Sequence, residues 1–105
     1  MELAKKLEPA WFDYEDAGFL CKPLTAAQKL SAFAAIESED YGQAYARMVR
    51  SAVTDWRGIK QGGEDVPFSV AALDDLFSDE RNASLLMQLG TFIVHRARTA
   101  DPKKS

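Results

Sequence analysis

Residues 40–56 read DYGQAYARMVRSAVTDW and form the most amphipathic segment of the chain. Apolar residues recur there at steps of three and four, the spacing of one face of an α-helix. The carboxylate of Asp40 suits the start of such a helix, where it can cap free backbone amides. The segment therefore predicts a helix over residues 40–56. Its apolar stripe consists of Tyr41, Tyr45, Met48, Val49, Ala52 and Trp56.

Three further helices are predicted from capping residues and apolar spacing. The first begins at Thr25, whose hydroxyl can form a capping box with Gln28. The second begins at Ser69, which has the side chain of a helix cap. Gly90 lies inside the last helix, where glycine costs about 1 kcal/mol relative to alanine, so we expect a close packing contact there. The four predicted helices cover residues 25–38, 40–56, 69–77 and 80–98.

The remaining segments predict little regular structure. Residues 11–24, WFDYEDAGFLCKPL, indicate a short β-hairpin or an extended segment, because aromatic and polar residues alternate before an Asp-Ala-Gly turn signal. Residues 57–68, RGIKQGGEDVPF, contain three glycines and a proline and predict an irregular connecting loop. We therefore expect a mainly α, four-helix single domain over residues 1–105, with an ordered core at about 11–98 and strands only before Leu24.

Composition narrows the class of protein. A chain of 105 residues with 47% hydrophobic residues can fill one core. The formal net charge of -3 argues against nucleic-acid binding, which needs clustered, uncompensated Lys and Arg. No apolar run approaches the roughly 20 residues of a membrane helix, and the N-terminus lacks the apolar core of a secretory signal. We therefore expect a cytoplasmic protein without membrane or nucleic-acid partners.

Residues with catalytic potential are few. Cys21 is the single cysteine and His95 the single histidine, and they are far apart in the sequence. We expect Cys21 to be a small buried hydrophobic residue and His95 to lie on the flank of the last helix. Acidic residues follow Gly62 and Gly63, which disfavours a phosphate-binding loop. Three acidic pairs lack the ligand spacing of a calcium loop: Glu64 with Asp65, Asp74 with Asp75, and Asp79 with Glu80. The sequence thus predicts no catalytic, cofactor-binding or metal-binding residues and no enzymatic activity.

Residues 53–77, VTDWRGIKQGGEDVPFSVAALDDLF, contain an ordered set of short elements. A Trp-Arg-Gly element is followed by a Gly- and acid-containing loop, then by Pro, an aromatic residue and a capping Ser, and then by a short Leu-rich helix. This order resembles that of the small tail assembly chaperones of long-tailed bacteriophages. Residues 19–29, FLCKPLTAAQK, are similar to the strand-then-helix opening of that family, and the likeness extends over residues 12–98. The signature positions are Trp56, Gly58, Pro67, Phe68, Ser69, Leu73 and Leu76.

The resemblance implies a function in protein binding. Proteins of this family hold the tape measure protein, and sometimes tail tube subunits, soluble until the tail polymerises, so no cofactor is expected. A homo-oligomer that covers the client site in the absence of the client is compatible with this function. The residues themselves suggest structural roles: Trp56 and Phe68 packing across the loop, Gly58 as a left-handed helix stop, and Pro67 stiffening the start of the next helix. The client-binding residues are not determined by the sequence.

Two other functions stay open at this point. A head–tail connector or tail-completion subunit would have a similar size but would remain in the finished virion. A small DNA-binding regulator is disfavoured, because the link between the second and third predicted helices is about a dozen residues, longer than the three or four of a helix-turn-helix.

Overall fold

A computed structural model of the protein describes Leu3, residues 7–38 and residues 40–99. The two segments that flank the predicted ordered core, residues 1–10 and 99–105, lie partly outside these described residues. Strands and helices occur in groups along the described part of the chain: two strands, two helices, three strands and then two helices. In chain order they are β1 (Ala10–Tyr14), β2 (Ala17–Cys21), α1 (Ala26–Glu37), α2 (Tyr41–Ala52), β3 (Val53–Arg57), β4 (Lys60–Gln61), β5 (Glu64–Asp65), α3 (Val70–Ser78), a 3₁₀ turn (Glu80–Asn82) and α4 (Ala83–Thr99).

Strands β1 and β2 form the antiparallel hairpin predicted for residues 11–24. Its turn consists of Glu15 and Asp16, and Glu15 adopts a positive φ of 54°. A two-residue hairpin turn needs such a conformation to match the twist of the strands. The turn therefore shares only Asp16 with the predicted Asp-Ala-Gly signal, because Ala17 and Gly18 already belong to β2.

The predicted helix over residues 40–56 is wrong at its C-terminal end. Helix α2 stops at Ala52, and Val53 starts β3, which pairs antiparallel with β2. The register shifts between Leu20 and Cys21, so Thr54 has no residue opposite it. This bulge allows Val53 and Trp56, three residues apart, both to be buried.

The mainly α fold class is also wrong. The protein is a small α+β domain, in which β1, β2 and β3 form an antiparallel sheet in the order β1-β2-β3. The segment predicted as an irregular loop contains a second, two-stranded sheet of β4 and β5. Its turn is Gly62-Gly63, with φ values of +61° and +82°, which fits the glycine preference of tight hairpin turns. Strands are therefore not confined to the region before Leu24.

The four predicted helices exist with shifted ends, and their caps differ in how they form. Thr25 and Gln28 make the predicted capping box, and Ser69 accepts a hydrogen bond from the backbone amide of Ala72 at 3.0 Å. Asp40 precedes α2, but its side chain makes no capping hydrogen bond, contrary to the prediction. Within the described residues, no helix is long and apolar enough to cross a membrane.

The core lies between one face of the sheet and the helices. Phe19 and Cys21, from the central strand β2, are fully buried, as are Met48 of α2 and Leu89 of α4. Alternation along β1 places Phe12 on the core side, where its ring centroid lies 5.2 Å from that of Phe92. Helix α1 packs on α2 at the edge of this core and contributes a single fully buried residue, Ala32.

Gly90 permits the close contact between α4 and α2 that its position predicted. A Cβ atom built at Gly90 would lie 2.7 Å from Cγ of Tyr45. That ring atom is held close to the backbone of α2, so it has little freedom to move aside. Gly42, in the first turn of α2, has open space around the corresponding position.

Because Gly90 is in close contact and Gly42 is not, substitution by alanine should have opposite effects on stability at the two positions. Gly90→Ala should destabilise the protein by about 1–3 kcal/mol, because overpacking outweighs the better helix propensity of alanine. Gly42→Ala should be neutral or stabilising by up to about 1 kcal/mol. Urea denaturation of both variants measures the two values. Equal stabilisation by both substitutions would contradict the close contact with Tyr45.

Candidate functional site

Trp56 is the centre of the signature segment. Its side chain is buried, and its indole Nε1–H donates to the carbonyl oxygen of Val66 at 2.8 Å. The rings of Phe19 and Phe68 meet it edge-on, with centroids 6.3 Å and 5.3 Å away. The predicted packing of Trp56 against Phe68 is confirmed, although Trp56 lies in a strand and not at the end of a helix.

The other signature residues continue this structural unit towards α3. Gly58 has φ +74°, and a Cβ atom there would collide with the carbonyl oxygen of Asp16. It therefore follows a strand and abuts the β1–β2 turn; it does not stop a helix as predicted. Exposed Pro67 precedes Phe68, and Ser69 caps α3. On α3, Leu73 is buried and Leu76 is partly buried against the core. The signature thus joins β3 to α3, with most of its side chains used in packing.

Cys21 and His95 lie in different environments. The Cys21 thiol is buried, and this burial raises its pKa to about 11 against a smaller opposing effect from the Arg96 charge. His95 is exposed on α4. A thiol with a raised pKa is a weak nucleophile at neutral pH, so the structure gives Cys21 the character of a core residue.

The acidic pairs do not converge. Within the described ranges, no group of three or more His, Cys, Asp or Glu side chains could hold a metal ion. Asp74 instead faces Arg50 at 3.4 Å, and Asp79 accepts hydrogen bonds from Arg81. These hydrogen bonds lower the pKa of Asp79 to about 2.

A groove between the two ends of the described chain was not predicted from the sequence. It has a volume of about 370 Å³, and four segments of the chain form its walls: the arm before β1, the β2–α1 link, α1 and the C-terminal end of α4. Its lining residues are Leu7, Lys22, Pro23, Leu24, Lys29, Ile93, Arg96, Ala97 and Thr99. Arg96 lines this groove, whereas the guanidinium of Arg98 lies 5.4 Å from the ring centroid of Phe33.

Arg96 fixes two walls of this groove relative to each other. Its guanidinium donates to the carbonyl oxygen of Cys21 at 3.1 Å and to that of Glu8 at 2.7 Å. These hydrogen bonds hold the end of β2 and the arm against α4. The sequence signal that could have indicated the groove is the pair of lysines around Pro23 and Leu24, but its partners on α4 are about seventy residues away.

Comparisons of the chain with protein-family models, with curated proteins and with solved structures gave no match. The resemblance of residues 53–77 to tail assembly chaperones therefore stays a prediction that depends on the residues themselves.

The first prediction from this site concerns Trp56. Trp56→Ala should cost about 3–5 kcal/mol, because it removes a buried ring from the core and leaves the Val66 carbonyl without its donor. Trp11→Ala is the matched control, since Trp11 is 38% exposed and its ring contacts the Arg57 guanidinium at 4.3 Å. That control should cost less than about 1.5 kcal/mol. Thermal melts of the two variants test the difference. A Trp56 variant that is as stable as the parent but no longer binds the client would show that Trp56 is a contact residue.

The second prediction concerns the reactivity of Cys21. With its pKa near 11, only about one thiol in a thousand is ionised at pH 8, and the folded chain also shields the sulfur. A disulfide reagent such as dithionitrobenzoate should therefore leave the native protein unmodified over the time in which it fully labels the protein in guanidinium. Rapid labelling of native protein would contradict the buried environment, and Cys21→Ala provides the blank.

Proposed function

We propose that this protein is a phage tail assembly chaperone that binds the tape measure protein, the tail tube protein or both before the tail polymerises. The observation that carries the proposal is the ordered set of residues in the segment 53–77, from Trp56 through Pro67 and Phe68 to Leu76. The proposed mechanism is reversible protein binding without a cofactor, in the cytoplasm of the bacterial host.

The physical requirements of that task support the proposal. A tape measure protein is long, largely helical and apolar, and it aggregates unless a partner covers its apolar stripe. The chain offers apolar side chains outside its core: Leu30 is 71% exposed, Met87 57% and Tyr41 52%. Scattered exposed apolar residues are ordinary in proteins, so this observation supports binding in general and does not single out a client.

We expect the signature residues and the client-binding residues to be different parts of the molecule. Because the signature side chains mostly pack between β3 and α3, the client surface should lie elsewhere, on the helices α1, α2 and α4 or in the groove beside them. Variants of the signature should then lose activity through unfolding, whereas variants of the client surface should lose activity while folded.

Co-expression tests the proposed function directly. The tape measure protein encoded by the same phage or prophage should remain soluble and co-purify with this chain, whereas mass spectrometry of finished tails should not detect the chain. Apolar burial and the protection of an aggregation-prone helix are the physical reasons. Size measurement of the free chain in the same experiment detects a dimer or ring that covers the client surface.

The controls separate this function from the alternatives. A tape measure protein that is equally insoluble with and without the chain, together with no binding of the tail tube protein, would rule the chaperone out. Presence of the chain in finished tails would instead favour a connector or tail-completion subunit. Salt-sensitive retention on duplex DNA would favour a regulator.

A further inference from the structure

The groove between the arm, the β2–α1 link and α4 combines apolar walls with a positive rim. Leu7, Leu24 and Ile93 supply apolar surface, and Lys22, Lys29 and Arg96 supply charge. None of the described residues that line the groove is acidic. Its volume of about 370 Å³ lies at the lower end of the range of ligand pockets, which is about 300–1,000 Å³.

The described lining of this groove is positively charged, whereas the chain as a whole has a negative net charge. The protein has 16 acidic and 13 basic residues, so a chance set of lining residues would include carboxylates. Ion pairs do form elsewhere in the described part of the chain, and they join Arg50 to Asp74, Arg57 to Asp13 and Arg81 to Asp79. Within that part, Lys22, Lys29 and Arg96 take part in none of them.

The hydrogen bonds of Arg96 leave its charge uncompensated. Both of its hydrogen-bond partners are neutral backbone carbonyls, those of Cys21 and Glu8, and within the described residues no carboxylate forms an ion pair with the guanidinium. Lys29 lies 5.7 Å from the ring of Phe33, which Arg98 also approaches. Lys29 of α1 and Arg98 at the end of α4 therefore lie near the same ring, next to the groove.

We propose that this groove binds an acidic, amphipathic peptide segment of a partner protein. An apolar side chain of the segment packs against Leu7 and Leu24, while neighbouring carboxylates face Lys22, Lys29 and Arg96. Charge-assisted contacts of this kind give specificity and speed association, and the apolar contact adds affinity. Resting on the proposed function, the segment belongs to the tape measure protein.

A peptide fits these observations better than a nucleic acid or a membrane. Nucleic-acid binding needs many phosphate contacts along an extended basic surface, and the net charge of -3 opposes it. A concave groove with three cations around an apolar centre matches a short segment that alternates acidic and apolar side chains. Carboxylates are the anions that such a segment carries.

Charge reversal in the groove tests the proposal without disturbing the fold. Lys22 is exposed, and its backbone amide donates to the carbonyl oxygen of Ala52 at the end of α2, a bond that survives substitution of the side chain. Lys29 is the fourth residue of α1, near the helix N-terminus, where glutamate interacts favourably with the helix dipole. The test variant is Lys22→Glu/Lys29→Glu. Its control is Lys60→Glu/Arg81→Glu, which changes the net charge by the same amount at exposed positions outside the groove and outside α1, α2 and α4.

The first measurement uses the tape measure protein of the same phage or prophage. The parent and the control should retain it equally, whereas the groove variant should bind it at least about ten-fold more weakly, with an unchanged thermal melt. Equal retention by all three proteins would overturn the groove proposal and leave the chaperone function standing. Failure of the parent itself to retain the client counts against the chaperone function.

The second measurement tests the groove independently of any client. Fluorescence anisotropy compares three labelled peptides of equal length in which Leu alternates with Glu, Gln or Lys. The parent should bind the Glu peptide at least about ten-fold more tightly than the Gln peptide, and the groove variant should lose this preference. Equal affinity for the Glu and Lys peptides would overturn the proposal. So would charge-dependent binding to duplex DNA or to anionic vesicles in the absence of binding to the Glu peptide.

Discussion

The indole of Trp56 donates one hydrogen bond and receives two edge-on ring contacts, and these join segments that are distant in the chain. Phe19 belongs to the central strand, Val66 to the connection after β5, and Phe68 to the residues just before α3. A buried indole N–H needs an acceptor, and the Val66 carbonyl supplies one. The position of α3 against the sheet therefore depends on this side chain. Among the signature residues, Phe68 contacts the indole directly, and it immediately precedes the cap of α3 at Ser69.

Local sequence signals predicted the four helices, two of their caps and the first hairpin, but not the fold class. The error arose at β3. Val53 and Trp56 are three residues apart and follow Ala52, so in the sequence they continue the apolar stripe of α2. In the structure the same spacing results from the bulge at Thr54, which brings both side chains to the core side of a strand. A period of three is thus ambiguous when a helix runs directly into a bulged strand, since no glycine or proline separates the two. The Gly62-Gly63 pair was interpreted as a loop signal, although it is equally a signal for a tight hairpin.

The site was harder to predict than the fold. The burial of Trp56, its contact with Phe68 and the cap at Ser69 followed from the sequence, because each depends on residues close in the chain. The groove could not be predicted from the sequence, because its walls come from segments far apart in the chain and meet only through tertiary packing. In the sequence, nothing distinguishes Lys22 and Lys29 from ordinary solvated lysines. Their proposed role in binding depends on Arg96, which is held in the same groove by hydrogen bonds to the carbonyl oxygens of Cys21 and Glu8. Residues whose role is to make the fold were therefore easier to recognise than residues positioned by it.

The close approach of Gly58 to the Asp16 carbonyl has a consequence for how such chains can diverge. Two chain reversals touch there through backbone atoms, with no side chain to absorb a change in length. An added residue in the Glu15–Asp16 turn would collide with the backbone at Gly58 and disturb the pairing of β2 with β3. The Gly62-Gly63 turn has open space around both glycines, so inserted residues would meet no obstacle. Length variation among descendants of this gene should therefore concentrate in the second turn, which is also the place where a fluorescent or affinity tag can be introduced without disturbing the rest of the protein.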